Sequence, residues 1–343
     1  METLLNQSSI KCTQLLCAMQ YLATESQQHG LLSEEKPEQE SEQASLSYSL
    51  NREPDMSWDR SKSPLLSDVQ FSKWQALLED RTGMYISIDH RSLLESNLTI
   101  RMREIQCQDV DSYYAIVNAK PDGIREWSIL LDRIMVQETR FYRNPESLSL
   151  VSKYLEQRLS NTGAKNTALN IWSVGCSSGE EPYTLAILCQ EAITKSHRQI
   201  SYGITATDIS LPVLEKARKG IYNERRLLDL KPSLIDQYFE TVDDSTYMVK
   251  NQVKKKVCFS MANMIEIEKN PLRNMDIIYC QNVLIYFRKD RKYIILNNLV
   301  ERLAPGGLLI IGQGEATDWS HSDITRVPDN QTLAFIRRTT QEH

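Results

Sequence analysis

Residues 171–182 read IWSVGCSSGEEP, an apolar run that ends in a Gly-rich turn and opens into a segment carrying two glutamates at its start. Leu169 to Val174 predict a buried parallel strand, because the run is short, apolar and bounded by a turn signal. Gly175 and Gly179 let the backbone turn sharply and come close to a ligand. Ser177 and Ser178 are helix N-cap candidates, and the helix they open runs from about Glu180 to Thr194. A strand, a Gly-rich turn and a helix N-terminus together make the nucleotide pocket of doubly wound sheets. The phosphate signatures are missing, however: there is no GxGxxG, and no Lys-Ser or Lys-Thr follows a glycine. Glu180 and Glu181 stand where a pyrophosphate needs positive field. A cofactor with a cationic or neutral centre fits better, and S-adenosylmethionine carries a sulfonium and an amino group.

Outward from this turn, residues 150–343 alternate strand and helix and call for a mostly parallel sheet. The expected strands are 169–175, 202–208, 257–260, 275–281, 308–314 and 332–338. No helix is evident in HSDITRVPDNQ, so the last strand is expected to enter antiparallel at the edge. Leu303-Ala304-Pro305-Gly306-Gly307 is expected to stop a helix and turn into the next strand. Between Gly220 and Lys256, the runs 238–242 and 246–249 flank Asp243-Asp244-Ser245 and read as a hairpin inserted after the second strand.

The strand ends of such a sheet converge on one crevice. Asp208, closing the second strand some thirty residues after the Gly turn, is placed to accept hydrogen bonds from ribose hydroxyls; its plainer role is to cap the next helix. Asn263 can read an adenine edge and Met264 can pack on its face. Asn282 ends the strand that enters YCQNVLIYF, with Val283 beside it, and Tyr286 can project its hydroxyl into the same crevice; core packing is the alternative for Tyr286. Before the sheet, QETRFYR (137–143) places Arg140 and Arg143 around two aromatics. Arg143 can hold a carboxylate bidentately, or the segment can be an interdomain ion pair and aromatic staple.

The N-terminal side is organised differently. Residues 1 to about 25 carry leucines at spacings that fit one amphipathic helix. Residues 26–64 are rich in Glu, Gln, Ser and Pro and read as a linker. From Asp68 a helical period returns: Phe71, Trp74, Leu77 and Leu78, then helices at 91–105, 109–118 and 127–136, forming a small all-helical unit. Arg91, Arg101 and Arg103 could form a cationic docking face or a plain solvated one. The chain of 343 residues is 41% hydrophobic and 25% charged, ordinary for a globular protein, and its net charge of -5 gives no reason to expect nucleic acid. No apolar run is long enough to span a membrane, and the N-terminus lacks a signal-peptide pattern. The seven cysteines show no CxxC pair and no zinc spacing; no metal is expected, and their scatter suits a reducing cytoplasm.

ETRFYRNP, IWSVGCSSGEEPYTLA, ATDIS with VLEKARKGIY, YCQNVLIYF and LAPGGLLIIGQGE occur in the order found in the CheR-type chemoreceptor glutamate methyltransferases. The resemblance covers roughly residues 68–340. It implies a class I methyltransferase: a Rossmann-like, mostly parallel sheet with an antiparallel last strand, at 138–343. An antiparallel β-subdomain would be inserted at about 221–256, and a small all-helical domain would precede the sheet at 68–137, with 1–67 as an extension. It further implies S-adenosylmethionine as methyl donor, S-adenosylhomocysteine as product, and glutamates on the helical cytoplasmic domain of membrane chemoreceptors as acceptors, with a cytoplasmic, monomeric enzyme. By that resemblance, Gln137, Thr139, Arg143, Gly175, Glu180, Asp208, Asn263, Met264, Asn282 and Val283 border the cofactor, with Glu180 on its methionine part. Arg143 and Tyr286 would serve the transfer itself. The chain departs from the family pattern at Gln137, often Asn, and at Gln281, usually Arg. The second change removes a cation near the expected substrate path and leaves open a CheR-like docking protein with weak or no transfer. A class I methyltransferase acting on a small molecule is a third reading, disfavoured by the helical unit and the inserted hairpin.

Overall fold

The computed structural model describes residues 66–121, 123–135, 138–161 and 168–339. The expected N-terminal helix, the linker that follows it, and the candidate Gln137 lie outside the described residues. Within them, no helix is long and apolar enough to cross a membrane.

The helical unit begins where the sequence period does. Helix α1 (Asp68–Thr82) opens on a capping box between Ser67 and Gln70 and closes on Gly83 in the left-handed region. It packs with α2 (Arg91–Glu104), α3 (Val110–Asn118) and α4 (Gly123–Ile134) around Trp74, Leu78, Leu94, Leu98, Tyr113 and Leu130. The fourth helix starts at Gly123, four residues before the expected Trp127. Arg91 and Arg101 of the expected cationic face are engaged within the unit. Arg91 pairs with Asp68 and Glu95. Arg101 donates to both oxygens of the buried Glu126, which also accepts from the Tyr113 hydroxyl at 2.6 Å. Glu126 is accordingly held below the usual carboxylate range: burial raises it, and the Arg101 and Tyr113 hydrogen bonds outweigh that.

Helix α5 (Pro145–Asn161) follows, unanticipated from sequence, with Leu148, Val151, Leu155 and Leu159 buried at helical spacing. Then come β1 (Leu169–Val174), α6 (Glu180–Ser196), β2 (Tyr202–Asp208) and α7 (Leu211–Lys219). After the insertion, β6 (Val257–Met261), β7 (Met275–Cys280), helix Lys289–Arg302, β8 (Leu303–Ile311), β9 (Ile324–Arg326) and β10 (Leu333–Arg337) complete a seven-stranded sheet in the order β6-β2-β1-β7-β8-β10-β9. The chain builds outward from β1 through β2 to β6, then crosses to β7 on the other side of β1. The topological switch therefore falls between β1 and β7, where a ligand crevice opens in such sheets.

Three expectations change in detail. The last strand, β10, does run antiparallel to β8, but it is not the edge: β9 pairs outside it. Three residues, ITR, are too few to show a strand period. LAPGG already belongs to β8: the preceding helix ends at Arg302, and Gly306 takes a φ of 75° within the strand, beside a register shift against β7. The inserted hairpin, β4 (Phe239–Asp243) with β5 (Thr246–Val249), gains a third strand, β3 (Ile221–Asn223), which pairs with β5 to give the order β3-β5-β4.

Candidate active site

The carboxyl ends of β1, β2, β6 and β7 frame a cavity of about 260 Å³. Its floor is the Gly turn. Gly175 has a φ of 68°, and a Cβ there would sit 2.4 Å from Val283 Cγ2, so β1 and β7 can close together only over a glycine. Asp208 is buried and holds this turn in shape: its Oδ2 accepts from the Ser177 amide at 2.8 Å and its Oδ1 from the Ser210 amide at 2.9 Å. Burial raises its pKa, and these backbone donors draw it back. Asp208 thus lines the cavity, while the N-cap position of the following helix falls to Ser210 and not to Asp208. Beside it, Ser177 Oγ is buried with no hydrogen-bond partner among the described residues.

The two glutamates part company. Helical spacing turns neighbours about 100° apart, and only Glu181 lines the cavity. Glu180, the residue expected there, is almost fully buried elsewhere: it accepts from Ser178 Oγ at 2.7 Å and faces Arg226 of the inserted subdomain at 3.8 Å. Glu181 accepts from Ser173 Oγ at 2.7 Å. Burial pushes its carboxyl up to about 8, with Ser173 and Arg143 pulling it down and Glu315 adding repulsion. A carboxyl so desolvated favours a cationic ligand, which would restore its charge.

Thr139, Arg143, Asn263, Met264, Asn282, Val283 and Tyr286 all line the same cavity, as expected. Asn263 is constrained: its Nδ2 donates to the Arg81 carbonyl at 2.8 Å, leaving one N–H of the amide for a ligand. The Arg143 guanidinium rests on the Glu138 carbonyl. Tyr286 is half-buried, and desolvation raises its pKa against the pull of Arg143. Asn282 adopts a φ of 60°, a conformation asparagine tolerates better than most residues. Just beyond it, the buried Glu315 carboxylate accepts the backbone amides of Ile285 at 3.1 Å and Gly312 at 2.7 Å. Gln281 lines the cavity within a neutral network: its Oε1 accepts from Asn144 at 2.6 Å and from the Tyr279 hydroxyl at 2.9 Å. Sequence reasoning named Glu181 only as one of an acidic pair and gave the place on the cofactor to Glu180; it passed over Glu315 and the roof residues Thr82 and Met84. The signal for Glu315 was present, an acid directly after Gly312-Gln313-Gly314 just past a strand end; for the roof there was none.

The residues fit S-adenosylmethionine. An orphaned hydroxyl beside a carboxylate at the β2 end suits a ribose, and a desolvated glutamate suits an ammonium. The fold and this crevice define a class I S-adenosylmethionine-dependent methyltransferase. Residues 137–332 match the CheR methyltransferase SAM-binding domain, and residues 70–135 match the CheR methyltransferase all-alpha domain. The chain belongs to the CheR methyltransferase family, and its cofactor is S-adenosylmethionine. It is 30% identical over 249 residues to the chemotaxis protein methyltransferase of Borreliella burgdorferi, covering 72% of this chain and 87% of that one. It is 31% identical over 254 residues to chemotaxis protein methyltransferase 1 of Vibrio cholerae, covering 73% and 90%. It is 28% identical over 274 residues to the probable biofilm formation methyltransferase WspC of Pseudomonas aeruginosa, covering 79% and 62%.

Proposed function

We propose that this chain methylates glutamate side chains on the cytoplasmic helical domain of membrane chemoreceptors, forming glutamyl methyl esters in a chemosensory pathway of the cytoplasm. The observation that carries the reading is the meeting of Arg143, Tyr286 and Glu181 in one cavity roofed by the helical unit. Bound S-adenosylmethionine supplies a methyl group activated by its sulfonium. Glu181 holds the amino group, Asp208 and Ser177 the ribose, and Asn263 and Met264 the adenine; Thr139, Gly175, Asn282 and Val283 complete the walls.

An acceptor glutamate with a pKa of about 4.3 is ionised at neutral pH, so no general base is needed. The chain's task is to orient that carboxylate and exclude water from it. Arg143 orients it through the oxygen that does not attack, since a strong ion pair to the attacking oxygen would oppose loss of charge in the transition state. Tyr286 positions the reacting oxygen with its hydroxyl. Among the described residues lining the cavity the cations are Arg140 and Arg143, and Arg140 already pairs with Asp229 at 2.5 Å. The docking-only alternative rested on Gln281, but its amide sits in a satisfied neutral network.

The test is incubation of the protein with methyl-labelled S-adenosylmethionine and a chemoreceptor cytoplasmic fragment. Base-labile label is expected on the fragment, lowered at least tenfold in turnover by Tyr286→Phe with cofactor affinity kept within about twofold. Full turnover by Tyr286→Phe would remove the role assigned to that hydroxyl. No base-labile label with any receptor fragment would remove the acceptor class.

A further inference from the structure

We propose that the turn leaving α1, residues 81–86, is a working wall of the transfer site, and that Glu79 and Arg288 are positioning residues that hold Tyr286 through it. This rests on the placement of Tyr286 at the reacting centre. Four observations converge. The Tyr85 amide donates to the Tyr286 carbonyl at 2.8 Å, and Met84 forms an antiparallel bridge with Phe287. The carbonyl of Arg81 takes the Asn263 amide at 2.8 Å. Gly83, at a φ of 75°, lies so close that a Cβ would meet Ile265 Cγ2 at 2.2 Å and Phe287 at 3.0 Å. Thr82 and Met84 themselves line the cavity. One short turn of the helical unit therefore touches the loop bearing Tyr286 and the loop bearing Asn263.

The turn is fastened from outside. Arg288, two residues after Tyr286, donates its Nε to Glu79 Oε1 at 2.6 Å and a second guanidinium N–H to Oε2 at 3.3 Å. Its Cζ lies 3.7 Å from the centroid of the Tyr85 ring. A bidentate pair that also stacks on an aromatic fixes geometry far better than a lone surface ion pair. Arg288 also occupies the N-cap position of the helix Lys289–Arg302, so the latch joins α1, the Tyr286 loop and the start of that helix at one point. The Gly175 turn, by contrast, is held by Asp208 through the Ser177 amide, with no contact to Glu79 or Arg288. Loosening the latch should then move Tyr286 without releasing the cofactor.

The experiment compares wild type, Arg288→Ala, Glu79→Ala, the swap Glu79→Arg/Arg288→Glu, Tyr286→Phe and Tyr286→Phe/Arg288→Ala as full chains. Amide exchange of residues 83–88 and 283–288 is read without any acceptor; turnover is read on a receptor cytoplasmic fragment. Arg288→Ala and Glu79→Ala should each speed exchange of the Tyr85 amide and lower turnover by about tenfold, within what an ångström of misplacement can cause. Affinity for S-adenosylhomocysteine should stay within about twofold, a split a merely destabilised protein would not show. The swap should restore both readouts, which excludes Arg288 acting as a direct acceptor contact. In the Tyr286→Phe background the Arg288→Ala effect should vanish. Unchanged Tyr85 exchange in Arg288→Ala, or an additive double variant, overturns the proposal while leaving the role of Tyr286 standing. Wild-type turnover by Tyr286→Phe overturns the role of Tyr286 and the proposal with it.

Discussion

The two walls of the cavity are built by different physics. The floor is made of strand ends: β1, β2 and β7 lie in parallel register, Gly175 closes against Val283, and buried carboxylates of Asp208 and Glu315 hold the turns. The roof is a turn from a separate helical core, joined to the sheet domain by the Tyr85–Tyr286 and Met84–Phe287 backbone contacts, the Asn263 amide on Arg81, and the Glu79–Arg288 pair stacked on Tyr85. On the reading proposed above, the floor holds the cofactor and the roof sets the reacting geometry. Such a division lets the cofactor remain bound while the acceptor side adjusts.

The harshest way to break the comparison is to upset the floor from inside. Gln281→Arg buries a cation in the neutral network of Asn144 and Tyr279. An unpaired buried charge costs roughly 3 kcal/mol or more, so thermal denaturation should show a clear loss of stability, and turnover should fall, not rise. Adding Asn144→Glu beside it should recover most of that loss by supplying the missing partner at the contact seen between 144 and 281. Next, Gly175→Ala forces a Cβ against Val283 at a left-handed φ. Calorimetric titration should show S-adenosylhomocysteine affinity lowered by about a hundredfold, a strain of the size such positions carry. An intact affinity would show the floor to be as adjustable as the roof.

Smaller effects sharpen the comparison. Glu181→Gln should weaken S-adenosylhomocysteine by about tenfold, a typical charge-assisted hydrogen bond, while Glu180→Gln, whose carboxylate faces Ser178 and Arg226, should change it little. At pH 7 the free Glu181 carboxyl, pushed up to about 8 by burial, is mostly protonated. An ammonium placed beside it ionises it, so cofactor binding should release a proton, measured as a dependence of the calorimetric heat on buffer; Glu181→Gln should abolish it. The same shift bears on stability. A carboxyl whose folded pKa lies above its unfolded value of 4.5 favours the folded state at low pH, and that contribution is lost as pH rises from about 4.5 through 8. The free protein should lose denaturant stability across that window, and Glu181→Gln should flatten the loss.

The floor was legible in the sequence and the roof was not. Local pattern carries the floor: an apolar strand, a Gly turn and an acid ending the next strand place Gly175 and Asp208 without any knowledge of distant contacts. The choice between Glu180 and Glu181 lay beyond that pattern, because both begin the same helix and only the phase of its first turn decides which one faces the cavity. The roof joins residues about two hundred positions apart, such as Tyr85 with Tyr286 and Glu79 with Arg288, and no periodicity reports such a pairing. The short strands β3 and β9 escaped for a simpler reason. Three residues each, they owe their conformation to the partner strand and not to their own alternation.

The division between floor and roof is tested most directly by measuring S-adenosylhomocysteine affinity and single-turnover methyl transfer on the same two proteins, Glu181→Gln and Arg288→Ala. The expected result is a crossing: Glu181→Gln loses affinity, and Arg288→Ala keeps affinity but transfers more slowly. If both variants lose the same parameter by similar factors, the cavity is a single coupled unit, and floor and roof have no separate tasks.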